Sequence, residues 1–228
     1  IKVVDLLIRD ISGHVKVGDT VYPTDIVVNW GRAFVINSGG EDVMDYDSTI
    51  VAIDVKDGLV PINNFAGNII TGKNPSSVVN DGNIIVLCRG IYDESNTLNN
   101  EESSFSRIGA GNLNVVSNTV LNGIYNADNL CVNEINTRFY FTASDGVYWS
   151  NKSSFNPQLI TNKKVPNVLI SNNETHFDLT DSLYKTVNYL WFNDQNNPEY
   201  LYKLNSQTNT CEDSIILNSP IIDLEIYR

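Results

Sequence analysis

Apolar residues occur along this chain in short runs separated by polar turns, a pattern that is typical of β-strands. A recurring phrase, in which a Pro or Asn after a polar turn leads into an apolar strand, occurs five times. The copies start 52, 51, 40 and 54 residues apart, at Pro23, Pro75, Asn126, Pro166 and Pro220. Propeller blades repeat every 40–50 residues or so, and the spacing therefore predicts an all-β fold, a β-propeller of four-stranded blades.

Each complete repeat continues with a tight turn and a second strand, then a longer loop and a third strand. Gly31 and the Asp81-Gly82 pair supply the positive φ that such turns need. The fourth strand, for example Gln158–Thr161, is shorter and more polar. We expect the innermost strands to be buried on both faces and the outermost to meet water. The segment from Thr180 to Asn188 is the nearest approach to a helical pattern, and one short helical turn is expected there at most.

The whole chain, residues 1–228, is predicted to be a single propeller domain that starts and ends inside a blade. Ile1–Asp5 matches a third strand, and His14–Gly18 matches a fourth. The predicted blades, four complete and two partial, are 1–20 (partial), 21–72, 73–122, 123–163, 164–217 and 218–228 (partial). The two ends either complete one shared blade in a five-bladed ring or belong to a fragment of a larger, for example seven-bladed, propeller.

Composition excludes several classes of function. The formal net charge is −12 and the few Lys and Arg residues do not cluster, so a nucleic acid partner is not expected. No apolar run is long enough to span a bilayer, and we expect a soluble chain whose N-terminus has been trimmed. Cys88, Cys131 and Cys211 show no metal-binding spacing and are expected to be thiols, although one Cys88–Cys131 bridge is conceivable.

Catalytic chemistry finds little support in the sequence. The two histidines, His14 and His176, are assigned to an outer strand and a connecting loop, and neither has a nucleophile nearby in sequence. Sialidase-type chemistry needs several converging arginines, and only Arg89 is expected to face the channel. The chain is therefore predicted not to be an enzyme, and a sialidase- or lyase-type hydrolase is the least favoured alternative.

The first repeat resembles a known family. Val17-Gly18-Asp19, then Tyr22 to Val28, Arg32 to Gly40 and Ile50 to Asp54 are similar to the characteristic phrase of YncE-like, YVTN-repeat propellers. The order of features is most similar to surface propeller lipoproteins of Gram-negative gut anaerobes, some of which capture cobalamin beside an outer-membrane transporter. The resemblance implies an extracellular or cell-surface binding protein, lipid-anchored in its full-length form.

Binding is expected on the face where the fourth-to-first and second-to-third connections meet. The ligand-binding residues predicted there are Tyr22, Asn37, Ser38, Asn74, Arg89, Tyr92, Tyr125, Asn193 and Asp194. Aromatic rings with amide and guanidinium groups suit a small or medium polar ligand, for example a corrinoid. The alternatives are that these are ordinary turn residues, or that this face or the rim docks another protein, as in an extracellular or viral assembly.

Two acidic insertions mark the same face, Gly39–Ser48 and Ile91–Ser104. Clustered carboxylates can bind calcium, but neither insertion has the register of an EF-hand. Solvated acidic loops are favoured over a calcium site, and no cofactor is predicted. The first insertion contains Glu41, Asp42, Asp45 and Asp47, and the second contains Asp93, Glu94, Glu101 and Glu102.

Overall fold

The structure is a computed structural model, and it describes most of the chain. The described residues are 2–5, 10–14, 22–29, 31–38, 46–54, 64–95, 97–133, 136–163, 169–178 and 183–217. For residues 2–14, 64 and 169–186 among these, only the backbone is described.

The described elements are β-strands and one short 3-10 helix, Thr97–Asn99. A two-stranded sheet is formed by β1 (Lys2–Asp5) and β2 (Asp10–His14). The first four-stranded sheet consists of β3 (Pro23–Asn29), β4 (Arg32–Asn37), β5 (Thr49–Asp54) and β6 (Asn64–Ile70). The second consists of β7 (Pro75–Asn80), β8 (Ile84–Cys88), β9 (Ser104–Ile108) and β10 (Val115–Val120). The third consists of β11 (Asp128–Val132), β12 (Arg138–Ala143), β13 (Gly146–Asn151) and β14 (Pro157–Thr161). The fourth consists of β15 (Leu169–Asp178), β16 (Leu183–Asp194), β17 (Asn197–Asn205) and β18 (Thr210–Ile216).

Each four-stranded sheet is an antiparallel meander in which consecutive strands are neighbours. The predicted all-β class and the repeated four-stranded antiparallel unit are thus confirmed. The part of the chain that the structure describes contains no helix long and apolar enough to cross a bilayer.

Residues 1–126 and residues 127–228 form two compact units, unit 1 and unit 2. In unit 1, one face of the first sheet packs on the second sheet, with Phe34 and Ile50 against Ile84 and Val86. These four side chains have no accessible surface. In unit 2 the core joins Tyr140 and Val147 of the third sheet to Leu190, Phe192 and Leu204 of the fourth.

First strands of successive sheets also contact each other in unit 1. Asn29 Nδ2 donates to Asn80 Oδ1 at 3.0 Å, and the Val78 amide donates to Asp25 Oδ2 at 3.1 Å. Since Asn29 and Asn80 each follow a Val-Val pair at the end of a first strand, the contact joins equivalent positions of two repeats.

In the first three four-stranded sheets, burial is greatest on the second and third strands and not on the first. β4 and β8 are almost wholly buried, whereas Ile26 and Val28 of β3 are more than half exposed. The expectation that the innermost strands are the most buried is therefore wrong for β3. The exposed outer strands β10 and β18 agree with the expected gradient.

Two local predictions are wrong. No helical turn forms over Leu183–Asn188, because β16 begins at Leu183; residues 180–182 lie outside the described residues. The segment is rich in aromatic and β-branched residues, which favour strands, and it pairs along β15 for ten residues. His176 lies within β15 and not in a connecting loop. His14 ends β2, which starts at Asp10; residues 15–20 lie outside the described residues.

Candidate functional site

Because strands alternate in direction, five connections of unit 1 lie at one end of its two four-stranded sheets. We call the described residues of these connections the loop end: Tyr22, Ser38, 46–48, 71–74, 89–95, 97–103 and 121–126. Six of the predicted binding residues lie in it, and Asn37 ends the strand that leads into it. Asn193 and Asp194 belong to unit 2.

The residues that precede the first strands have left-handed backbone conformations. Tyr22, Asn74 and Asn126 have φ of 52°, 52° and 54°. Asn tolerates this region, whereas a tyrosine there is uncommon. The carbonyl of Tyr22 accepts hydrogen bonds from the Ser38 amide at 3.2 Å and from its hydroxyl at 3.3 Å. Before β3, β7 and β11, the recurring phrase thus reflects a backbone geometry that turns the chain into the first strand.

Hydrogen bonds connect the loops of the two sheets. The Asn74 amide donates to the Asp47 carbonyl at 2.8 Å, and the Asn126 amide donates to the Arg89 carbonyl at 3.1 Å. The Asn74 side chain donates to the Gly90 carbonyl at 2.8 Å. The Arg89 amide also donates to the Asn74 carbonyl at 2.9 Å. These bonds hold Asn74 and Arg89 together, and the loop end is therefore one continuous surface.

Asn37 is a supporting residue beneath this surface. Its side chain has no accessible surface, and its Nδ2 donates to Thr49 Oγ1 at 3.2 Å. The Thr49 hydroxyl donates its single proton to Asp47 Oδ1 at 2.8 Å. This direction fixes the amide orientation of Asn37, because Thr49 can only accept from it. Asn37 thus positions Asp47 and does not face solvent.

An aromatic pair joins the connection between β8 and β9 to the connection that follows β10. The Tyr92 and Tyr125 rings lie 5.9 Å apart at an interplanar angle of 33°, and both side chains are partly exposed. The β8–β9 loop is closed by mutual backbone hydrogen bonds between Ile91 and Glu101, of 3.0 and 2.9 Å. Gly90, with φ of 73°, starts the loop where a side chain would collide with the Glu101 carbonyl. A tight closure of the loop therefore fixes the position of Tyr92.

Tyr46 is a loop-end residue that the sequence reading missed. The Lys73 ammonium lies 5.7 Å from the centre of its ring and also pairs with Glu101. Tyr46 lies in the second-to-third connection of the first sheet, as Tyr92 does in the second sheet. Comparing the two connections in the sequence would have revealed it.

All the tyrosines of unit 1 lie at the loop end. Residues 1–126 contain four tyrosines, Tyr22, Tyr46, Tyr92 and Tyr125, and each is in a connection at this end. The phenylalanines described in the same unit, by contrast, lie in strands. Tyrosine is therefore segregated to one end of unit 1.

The acidic insertions are partly accounted for by protein contacts. Asp93 Oδ1 accepts from the Ser95 amide at 2.8 Å, and Glu102 Oε1 accepts from the Gly123 amide at 2.7 Å. Glu101 pairs with Lys73, as described above. Glu41, Asp42 and Asp45 lie outside the described residues. Within the described part, no group of three or more His, Cys, Asp or Glu side chains is placed to hold a metal ion.

Asp194 in unit 2 forms a buried ion pair. Its Oδ2 accepts from Lys163 Nζ at 3.0 Å, and its Oδ1 accepts from the Asn196 amide at 3.2 Å. Burial alone would raise the pKa of Asp194, but the hydrogen bonds from Lys163 and the Asn196 amide, together with the charge of Lys163, outweigh burial and the pKa falls below its usual value. Asn193 is fully buried beside it. Both predicted binding residues are therefore buried within unit 2.

A depression lies at the end of the second sheet opposite to the loop end. The cleft, of about 400 Å³, is lined by Gly82, Asn83 and the turn Gly109–Asn112. Arg32 donates to the Ala110 and Gly111 carbonyls, at 3.1 and 2.7 Å. The cleft walls are mostly turn backbone, and none of the predicted binding residues lines it.

The three cysteines are free thiols. Cys88 is fully buried, and burial raises the pKa of its thiol to about 11. Cys131 is half-buried and Cys211 is exposed. The structure therefore does not contain the bridge between Cys88 and Cys131.

Comparison with known proteins identifies no family. No family model matches the chain, and no curated protein matches it. A solved structure of a putative 6-phosphogluconolactonase from Bacteroides uniformis is 10% identical, with 83% of each chain covered and a TM-score of 0.34. A similarity of this size supports neither a family nor an activity for this chain.

Proposed function

We propose that this chain is a non-enzymatic binding module whose ligand surface is the loop end of unit 1. The observation that carries the proposal is the segregation of all four tyrosines of residues 1–126 to that end. Tyrosine supplies flat apolar area and a polar hydroxyl at a small cost in side-chain entropy, which is why it is enriched at binding surfaces.

The chemistry of the surface favours a polar ligand. Lys73 and Glu101 neutralise each other, and the carboxylates of Asp47 and Glu102 accept hydrogen bonds from protein groups. The tyrosine rings and hydroxyls are then the groups best suited to contact a ligand. A corrinoid, the ligand implied by the resemblance to surface propellers, is large, flat and rich in amides, and it is the first candidate.

We also propose that the four meanders are successive blades of a propeller. The contacts of Asn29 with Asn80, and of Asp25 with Val78, support this arrangement, because they join the first strands of two successive sheets. In a propeller those strands line the central axis. Exposure of the protein at a cell surface is part of the same proposal and rests on the resemblance alone.

Isothermal titration calorimetry with cyanocobalamin tests the ligand. We expect saturable heat, and Tyr92→Ala should weaken binding about tenfold, since a buried aromatic contact contributes 1–2 kcal/mol or so. Tyr200→Ala is the matched control, because Tyr200 is a partly exposed tyrosine of unit 2. Its affinity should equal that of the parent.

Two outcomes would overturn separate parts of the proposal. Absence of heat with cyanocobalamin at about 100 μM removes the corrinoid, because the affinity would then be weaker than a capture protein needs. A thermal-shift screen of polar compounds then tests the loop end. A ligand whose affinity is unchanged in both Tyr92→Ala and Tyr125→Ala shows that binding occurs elsewhere.

A further inference from the structure

Exposed apolar side chains of this protein are concentrated on the outer strands of the sheets. On β10 they include Val116, 63% exposed, and Val120, 53% exposed. Most of the others lie on or directly after the remaining outer strands: Phe65, Ile70, Leu159, Ile215, Ile216 and Leu217. Single exposed apolar residues are ordinary, but a row of them along a sheet edge indicates an interaction surface.

β10 is the outer strand that is least protected against pairing. It pairs with β9 and stands at the edge of the second sheet. Its sequence, Val-Val-Ser-Asn-Thr-Val, contains no charged residue, glycine or proline. Natural proteins usually protect such edges with charge or proline, as β18 is protected by Glu212 and Asp213. The ladder is irregular between Val115 and Ser117, but it is regular from Ser117 to Val120.

The exposed side of β10 is self-complementary. An antiparallel pair with a two-fold axis through Asn118 places Val116 opposite Val120 of the second copy and Asn118 opposite its own equivalent. β-Branched side chains opposite each other stabilise a ladder, and no like charges meet in this register. A self-pair of β18 would instead bring the acidic residues of two copies together. We propose that β10 is the edge through which a second copy of this chain adds to the second sheet.

The charge of the protein and the small contact area set the conditions for this association. Each copy has a formal net charge of −12, so two copies repel each other at low ionic strength, and salt screens that repulsion. The edges of two six-residue strands bury less than a standard interface. The association should therefore be weak. The fraction of dimer should rise with protein concentration, and the affinity should rise with salt.

Cysteine cross-linking tests the register directly. Opposed residues in an antiparallel pair have Cα atoms about 4.5–5.5 Å apart, within the range of a disulfide. In a Cys211→Ser background, Asn118→Cys should form a covalent dimer under mild oxidation. Val120→Cys is the matched control, since it is also exposed but faces Val116 of the partner and not its own equivalent. Asn118→Cys should cross-link about tenfold faster, because pairing raises the effective thiol concentration.

Sedimentation velocity supplies the second measurement, at low and high salt over a range of protein concentration. We expect the mean sedimentation coefficient to be larger at high salt than at low salt. Asn118→Lys should abolish this increase, because it places two ammonium groups opposite each other across the two-fold axis. Ser214→Lys on β18 should retain the association. Circular dichroism confirms that each variant is folded. Equal cross-linking of the two cysteine variants, or a monomer under all conditions, would overturn the proposal.

Discussion

Replacement of Gly90 by alanine tests the closure that positions Tyr92. Gly90 has φ of 73°, and a Cβ there would overlap the Glu101 carbonyl oxygen and lie 2.6 Å from that of Glu102. Both obstacles are backbone atoms and cannot rotate away. The loop would have to shift, and Tyr92 would shift with it. We therefore expect Gly90→Ala to destabilise unit 1 and to weaken binding at the loop end.

The magnitude can be worked from the contacts. A left-handed conformation costs alanine about 1–2 kcal/mol. A shifted loop would also strain or break three backbone hydrogen bonds, from the amides of Gly90, Ile91 and Glu101, each worth about 1 kcal/mol. The expected total is about 4–5 kcal/mol, because the two terms add. Gly82→Ala is the matched control, since Gly82 also has positive φ but no atom lies within 4 Å of the place that an added methyl group would occupy; its cost should be about 1–2 kcal/mol.

Urea unfolding followed by circular dichroism gives the two free energies, and hydrogen exchange locates the change. Amides of the loop Arg89–Ser103 should lose protection in Gly90→Ala and retain it in Gly82→Ala. Equal destabilisation in the two variants would refute the reasoning, because it would show that the Glu101 carbonyl does not constrain position 90.

Two further predictions follow from the buried groups. A thiol reagent at pH 8 should label Cys211 quickly and Cys88 only after unfolding, because Cys88 is buried with a pKa of about 11; quantitative mass spectrometry of labelled peptides checks this, and fast labelling of Cys88 would contradict it. Since the pKa of Asp194 is lowered, its pair with Lys163 should stabilise the fold above about pH 4 and lose this effect as the pH falls through the folded pKa. Lys163→Met should cost about 1–3 kcal/mol at pH 7 and less at pH 3, by urea unfolding; an equal cost at both would refute the pair's role.

The repeating strands could be predicted from sequence because their signals are local. A proline after a residue with positive φ marks β3 and β7, and Asp81-Gly82 marks the turn between β7 and β8. β16 was harder, because polar residues such as Lys185 and Asn188 interrupt its apolar positions. Its long pairing with β15 is a contact between segments and is not visible in either alone.

The site was harder to predict because burial depends on distant residues. Asn37 and Asn193 follow apolar strands in the same way as a surface turn residue would, yet both side chains are fully buried. Asp194 pairs with Lys163, which is thirty-one residues away in sequence. A strand-end polar residue can thus support a loop or contact a ligand, and sequence position alone does not separate the two.

The roles of asparagine and tyrosine show which sequence signals carry information about function here. Several asparagines have structural roles. Asn74 and Asn126 adopt positive φ, and the Asn29 side chain joins two first strands. The Asn133 side chain accepts hydrogen bonds from the amides of Thr137 and Arg138. These asparagines therefore have structural roles, and their presence says little about binding. The loop-end tyrosines instead contact charged and aromatic side chains, as Tyr46 contacts Lys73 and Tyr92 contacts Tyr125. Because tyrosine is enriched at binding surfaces, its segregation to one end of unit 1 is the feature on which the binding proposal depends.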